Sequence, residues 1–151
     1  MVSLGDHFPA DKVREYVAKQ LVPGCVIRIP VTFPQITKPK FLVLVADHDP
    51  DYLTFVVNST THPFIASRPH LACCQVTIDA ANHGFLQHDS QIACHEIMAL
   101  KRGDVIRELS GDLSGIKGQI SQEVREQILA AVKFAKTLSA DEKNAIIRAL
   151  L

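Results

Sequence analysis

Two short apolar runs, Phe41-Leu42-Val43-Leu44-Val45 and Tyr52-Leu53-Thr54-Phe55-Val56-Val57, constrain the fold of this chain more than any other feature. They read as antiparallel strands joined through Asp47-His48-Asp49-Pro50-Asp51. A cationic turn, Lys38-Pro39-Lys40, enters the first run, and a hydroxyl-rich stretch, Asn58-Ser59-Thr60-Thr61-His62, leaves the second. Antiparallel pairing sets the start of one run beside the end of the other. Ammonium groups, hydroxyls and an imidazole then gather at one rim of a sheet, a place suited to a phosphate or carboxylate.

The flanking sequence supplies further elements. Pro9 to Leu21 reads as a helix, with Pro9 in a first turn, Asp11 near the N-terminus and Val13, Tyr16, Val17 and Leu21 on one stripe. Pro23-Gly24 ends it, and Cys25 to Val31 reads as a strand, with Pro30 at an edge or a strand end. Thr32 to Pro39 is expected to be a loop, and Phe64 to His70 a loop with a short extended piece. Cys74 to Ile78 and Gln91 to Cys94, the latter beginning near Asp89, add two more strands. Closely spaced short strands separated by Pro, Asp and Asn turns point to a small barrel or strongly curved sheet.

The C-terminal third differs in kind. Val124, Ile128, Ala131, Val132 and Ala135 recur at helical spacing after a cap at Ser121, and Ser139 with Glu142 matches a capping box ahead of Ala145, Ile146, Ala149 and Leu150. Gly103-Asp104, Ser110-Gly111-Asp112 and Gly115 to Gly118 read as turns. The expected class is α+β in a single domain over 1–151, with an N-terminal helix at 9–21, a curved antiparallel barrel at 24–97 and C-terminal helices within 121–151.

At 151 residues and 47% hydrophobic content the chain supports one well-buried core. Sixteen basic against 16 acidic residues leave no global field, so any nucleic-acid contact must come from a local patch. Met1 to His7 shows no basic region leading into an apolar stretch, and no run reaches about 18 apolar residues. A soluble cytoplasmic protein without a membrane segment is the expectation.

The cysteines, Cys25, Cys73, Cys74 and Cys94, sit in apolar or strand-like segments and read as reduced, mostly buried thiols. The seven histidines lack any metal-binding spacing, so neither a metal nor another cofactor is expected. His88-Asp89-Ser90 holds the residue types of a hydrolase triad, but a triad is assembled by folding, not by adjacency. Lys38 and Lys40 flank a proline that restricts the backbone and lets both address one anion, although boundary lysines also serve to keep sheet edges soluble.

In order, these elements resemble the PemK/MazF-like toxin family of SH3-like barrels. The carriers are Gly24 to Ile29, Lys38-Pro39-Lys40-Phe41-Leu42-Val43-Leu44-Val45, Val57-Asn58-Ser59-Thr60-Thr61, Asp89 to Ile97 and Gly118-Gln119-Ile120-Ser121, within about residues 24 to 137. The resemblance implies a metal-independent endoribonuclease, a homodimer silenced by an antitoxin protein. It assigns Lys38 or Lys40 to the charge growing on the phosphate, Ser59 or Thr60 to its orientation and His62 to proton movement. The family uses an arginine where this chain has lysines, and a lysine is a point donor without the bidentate grip. Only two tyrosines and seven phenylalanines are present to shelve RNA bases. A catalytically silent barrel that binds a protein or ligand is the competing expectation.

Overall fold

A β-strand turns successive side chains to opposite faces, so a segment buried at every position has to be covered on both sides. Leu42, Val43, Leu44, Val45 and Ala46 are each at most 1% exposed. The computed structural model, which describes residues 9–33 and 36–151, meets that requirement with helices on both faces of one sheet.

The elements run α1 (Ala10–Gln20), β1 (Cys25–Phe33), β2 (Ile36–His48), β3 (Asp51–Asn58), α2 (Pro63–Ala66), α3 (Pro69–Ala72), β4 (Gln75–Ile78), β5 (Ser90–Ala93), β6 (Met98–Lys101), α4 (Arg102–Gly111), β7 (Ile116–Gln119), α5 (Gln122–Phe134) and α6 (Ala140–Leu150). The class is α+β, with a seven-stranded sheet curled into a half-barrel. Its order is β4-β5-β3-β2-β1-β7, with β6 also paired to β3, and the ladders are antiparallel.

On one face Val26, Val43, Phe55 and Ile92 pack with Val124, Ile128 and Val132 of α5 and with Ile146 and Leu150 of α6. On the other, Ile27, Leu42, Leu44 and Tyr52 pack with Val17 and Leu21 at the N-terminal helix and Val105 and Leu109 of α4. A β-bulge between Leu44 and Ala46 lets Val45 and Ala46 both join the first core. Ser121 accepts from Val124 N–H, and Ser139 and Glu142 form a reciprocal capping box, so both C-terminal helices start on satisfied amides.

The structure departs from the sequence expectations in four places. The segment expected as a loop from Thr32 to Pro39 is largely paired, with Val31 opposite Lys38 and Pro30 directly opposite Pro39. Opposed prolines fit a ladder position where neither residue needs to donate inward, and here the outer edges are open. The pairing of β7 stops at Ile27 and that of β3 at Phe41. Pro34 and Gln35, like the N-terminal segment Met1 to His7, lie outside the described residues.

Phe64 to His70 contains helices where an extended piece is expected, because Pro63 and Pro69 each open a helical turn. Gly103 to Gly111 belongs to α4, where Val105 and Leu109, four residues apart, anchor a helix despite glycines near both ends. Strands β6 and β7 extend the sheet beyond residue 97.

Candidate functional site

The β2–β3 ladder pairs Phe41 with Val57, which leaves Lys40 and Asn58 as the next residues at that end. Lys40 Nζ donates to Asn58 Oδ1 at 2.9 Å. Since Phe41 packs toward the α5/α6 core, Lys40 and Asn58 project from the opposite face, the face of Leu42 and Val56. Burial lowers the Lys40 pKa, and the charge of Lys38, two residues earlier on the same strand, lowers it further.

Asn58 opens onto a cleft of about 680 Å3 lined also by His62, Phe64, His95, Glu96 and Met98. His62 caps α2, its Nδ1 accepting from Phe64 N–H at 3.0 Å. That bond places the imidazole hydrogen on Nε2. His95 lies in the turn after β5, its Nδ1 2.9 Å from Nε2 of Gln75, which also donates to the Leu71 carbonyl at 3.3 Å. An amide donor on Nδ1 again leaves Nε2 carrying the hydrogen, and this nitrogen is 3.9 Å from the Glu96 carboxylate. Burial lowers the His95 pKa, with Glu96 opposing the shift. The Thr137 hydroxyl donates to the His95 carbonyl and ties this turn to the α5–α6 connection.

One side of the sheet therefore offers two imidazoles and a carboxylate lining an apolar-floored cleft, with the Lys40 ammonium one hydrogen bond away through Asn58. Such a set can bind an anionic ester, donate to its oxygens and accept a proton.

The expected site residues divide between two places. Lys38, Lys40 and His62 belong to this side of the sheet, whereas Ser59 lines a separate cleft with Phe41 and Val57 on the opposite face. Thr60 is exposed beyond the end of β3. Adjacency at a rim does not bring Ser59 to Lys40, because the period of two sends neighbours to opposite faces. Asn58, His95 and Glu96 were not singled out as site residues by the sequence. Asn58 stands inside the polar stretch that leaves β3, but the position of His95 depends on the pairings of Val57 with Ile92 and of Gln75 with Ala93, which no local pattern encodes.

Other candidates resolve differently. His88, Asp89 and Ser90 do not form a triad, since Asp89 Oδ1 accepts from Ala80 N–H at 2.8 Å while His88 Nδ1 meets the Asp89 carbonyl at 2.9 Å. Cys25, Cys74 and Cys94 are buried and Cys73 is exposed. Burial pushes the Cys25 thiol up to about 11; burial and then Cys73 take Cys74 to about 11; burial and then Cys74 push Cys94 up as well. Among the described residues no three His, Cys, Asp or Glu side chains group so as to hold a metal ion, and no helix is long and apolar enough to cross a membrane. A scan against models of known protein families finds no match, and a search of curated proteins finds none either.

Proposed function

We propose that the cleft beside Lys40 binds RNA and cleaves it in the manner implied by the PemK/MazF-like resemblance. The observation that supports this most is the convergence of Lys40, Asn58, His62, His95 and Glu96 from separate segments onto one side of the sheet.

The reaction is an attack of a 2′-hydroxyl oxygen on the adjacent phosphorus. The new O2′–P bond forms as the P–O5′ bond breaks, leaving a 2′,3′-cyclic phosphate and a 5′-hydroxyl end. Glu96 takes the 2′ proton, being the carboxylate among the cleft-lining groups. Lys40, an ammonium whose proton is held less tightly than an ordinary lysine's, neutralises the phosphorane and supplies the proton to O5′. His62 and His95 donate from Nε2 to phosphate oxygens, and Phe64, 52% exposed, offers a face on which a base can rest. Arg68 already sits 3.5 Å from the centre of the Phe64 ring, adding a cation beside that shelf. Asn58 orients Lys40. An antitoxin partner would act by occupying this cleft.

The test is incubation of the protein with a mixed RNA pool in the presence of EDTA, followed by mapping of new ends. New 5′-hydroxyl and cyclic-phosphate ends are expected; intact RNA at stoichiometric protein contradicts the proposal.

A further inference from the structure

The opposite face of the sheet carries a second cleft, of about 370 Å3, into which Arg28, Phe41, Ser59, Phe85, His88 and Lys117 face. We propose that it binds a nucleoside monophosphate, with the phosphate between Arg28 and Lys117 and the base against Phe41 and Phe85. This site is separate from the cleft beside Lys40 and does not depend on the function proposed for that one.

Charge argues for an anion. The chain is neutral overall, yet the residues lining this cleft include two full cations and no carboxylate. Among the described residues no ion pair engages Arg28 or Lys117. Asp112, whose carboxyl is held low chiefly by Ser114, feels Lys117 only as a more distant charge. Asp89, next to His88 in sequence, spends its carboxylate on the Ala80 amide. The two cations come from neighbouring strands, β1 and β7, so an anion between them is held by the sheet itself. The guanidinium of Arg28 lies 5.7 Å from the centre of the Phe41 ring, which restrains its planar fork for a phosphate.

The rings argue for a flat organic group on that anion. Phe41 and Phe85 have centroids 6.1 Å apart at an interplanar angle of 35°, a spacing that leaves both rims available to a third ring. Phe85 is held in place by His83, which meets it edge-on at 5.9 Å and is itself fixed by the Asp79 carbonyl and the Ser121 amide. Ser59, Gln87 and His88 add polar groups of the kind that fix a nucleoside's orientation. Ligand clefts usually span about 300 to 1,000 Å3, so this one suits a single nucleotide rather than a strand.

Titration of the full chain with 5′-AMP, adenosine and inorganic phosphate by calorimetry tests the proposal. AMP should bind at least about tenfold more tightly than either fragment, and Arg28→Gln or Lys117→Gln should weaken AMP roughly tenfold to a hundredfold. Phe85→Leu should weaken AMP while leaving phosphate unchanged. Arg28→Lys, which keeps the charge and loses the fork, should fall between wild type and Arg28→Gln, with circular dichroism confirming the fold of each variant. RNA cutting should be unaffected by Arg28→Gln, which separates this site from the other. The proposal is overturned if AMP does not bind at millimolar concentration, if adenosine or phosphate binds as well as AMP, or if Lys40→Ala abolishes AMP binding while Arg28→Gln does not.

Discussion

Lys40 and Asn58 join the entering end of β2 to the leaving end of β3 through a 2.9 Å hydrogen bond from Nζ to Oδ1. The bond spends one of three ammonium donors and leaves the others for a ligand. It also holds a half-buried cation beside a second lysine, which is why the proton of Lys40 is bound less tightly than usual.

That shift sets an alkaline limit. Lys40 loses its charge at a pH below the ordinary lysine value of 10.5. RNA cutting should therefore decline on the alkaline side before an unperturbed lysine would deprotonate, and Lys40→Arg should move any remaining activity's limb upward, since arginine stays charged. A pH–rate profile checks this; identical alkaline limbs for wild type and Lys40→Arg would remove Lys40 from the titration.

His95 makes a contribution to stability of the opposite pH sense to a salt-bridged histidine. Its folded pKa is lowered from 6.5, so above that value both states are neutral and its contribution is complete. As pH falls through 6.5 the unfolded chain takes up the proton first, and stability is lost progressively until the folded value is passed. Urea melts at a series of pH values should show a shallower acid loss for His95→Gln than for wild type.

The sheet was legible from the two apolar runs because a strand buried on both faces has few alternatives, and α5 and α6 were legible from their stripes and caps. Helix α4 was hidden by Gly103 and Gly111, whose turn-forming tendency outweighed the Val105 and Leu109 spacing in a local reading. The site was half legible. Lys40 and His62 stand where a rim of strand ends would put them, but Ser59 faces away and His95 arrives through β5. Strand register and face are settled by tertiary burial, which residue spacing near Ser59 does not carry.

His83 ties the wall of the second cleft to α5. It is 1% exposed, meets the Asp79 carbonyl at 2.7 Å and accepts from Ser121 N–H at 3.0 Å. His83→Leu strands both backbone groups and should cost about 1–3 kcal/mol, a melting drop of roughly 2 to 12 °C in thermal denaturation. An unchanged melting point would mean that these bonds do not hold the loop.

Thiol labelling reports on the cores directly. A charged alkylating reagent should modify Cys73 in the native protein and spare Cys25, Cys74 and Cys94 until denaturant is added. Rapid native labelling of Cys25 or Cys94 would contradict the buried packing of both sheet faces.

The central claim is that RNA is cut on the Lys40 side of the sheet, and the most direct measurement is the initial cleavage rate of wild type, Lys40→Ala, Glu96→Gln and Ser59→Ala on one RNA with EDTA present. Losing the Lys40 phosphate contact made in the transition state should slow cutting about a hundredfold to a thousandfold, by analogy with oxyanion-hole donors, and losing the Glu96 general base should cost a factor of similar order. Lys40→Ala and Glu96→Gln are expected to fall by that order with melting points within a few degrees of wild type, while Ser59→Ala, on the other face, keeps the wild-type rate. Loss of cutting in Ser59→Ala with full activity in Lys40→Ala would place the chemistry in the other cleft and contradict the account.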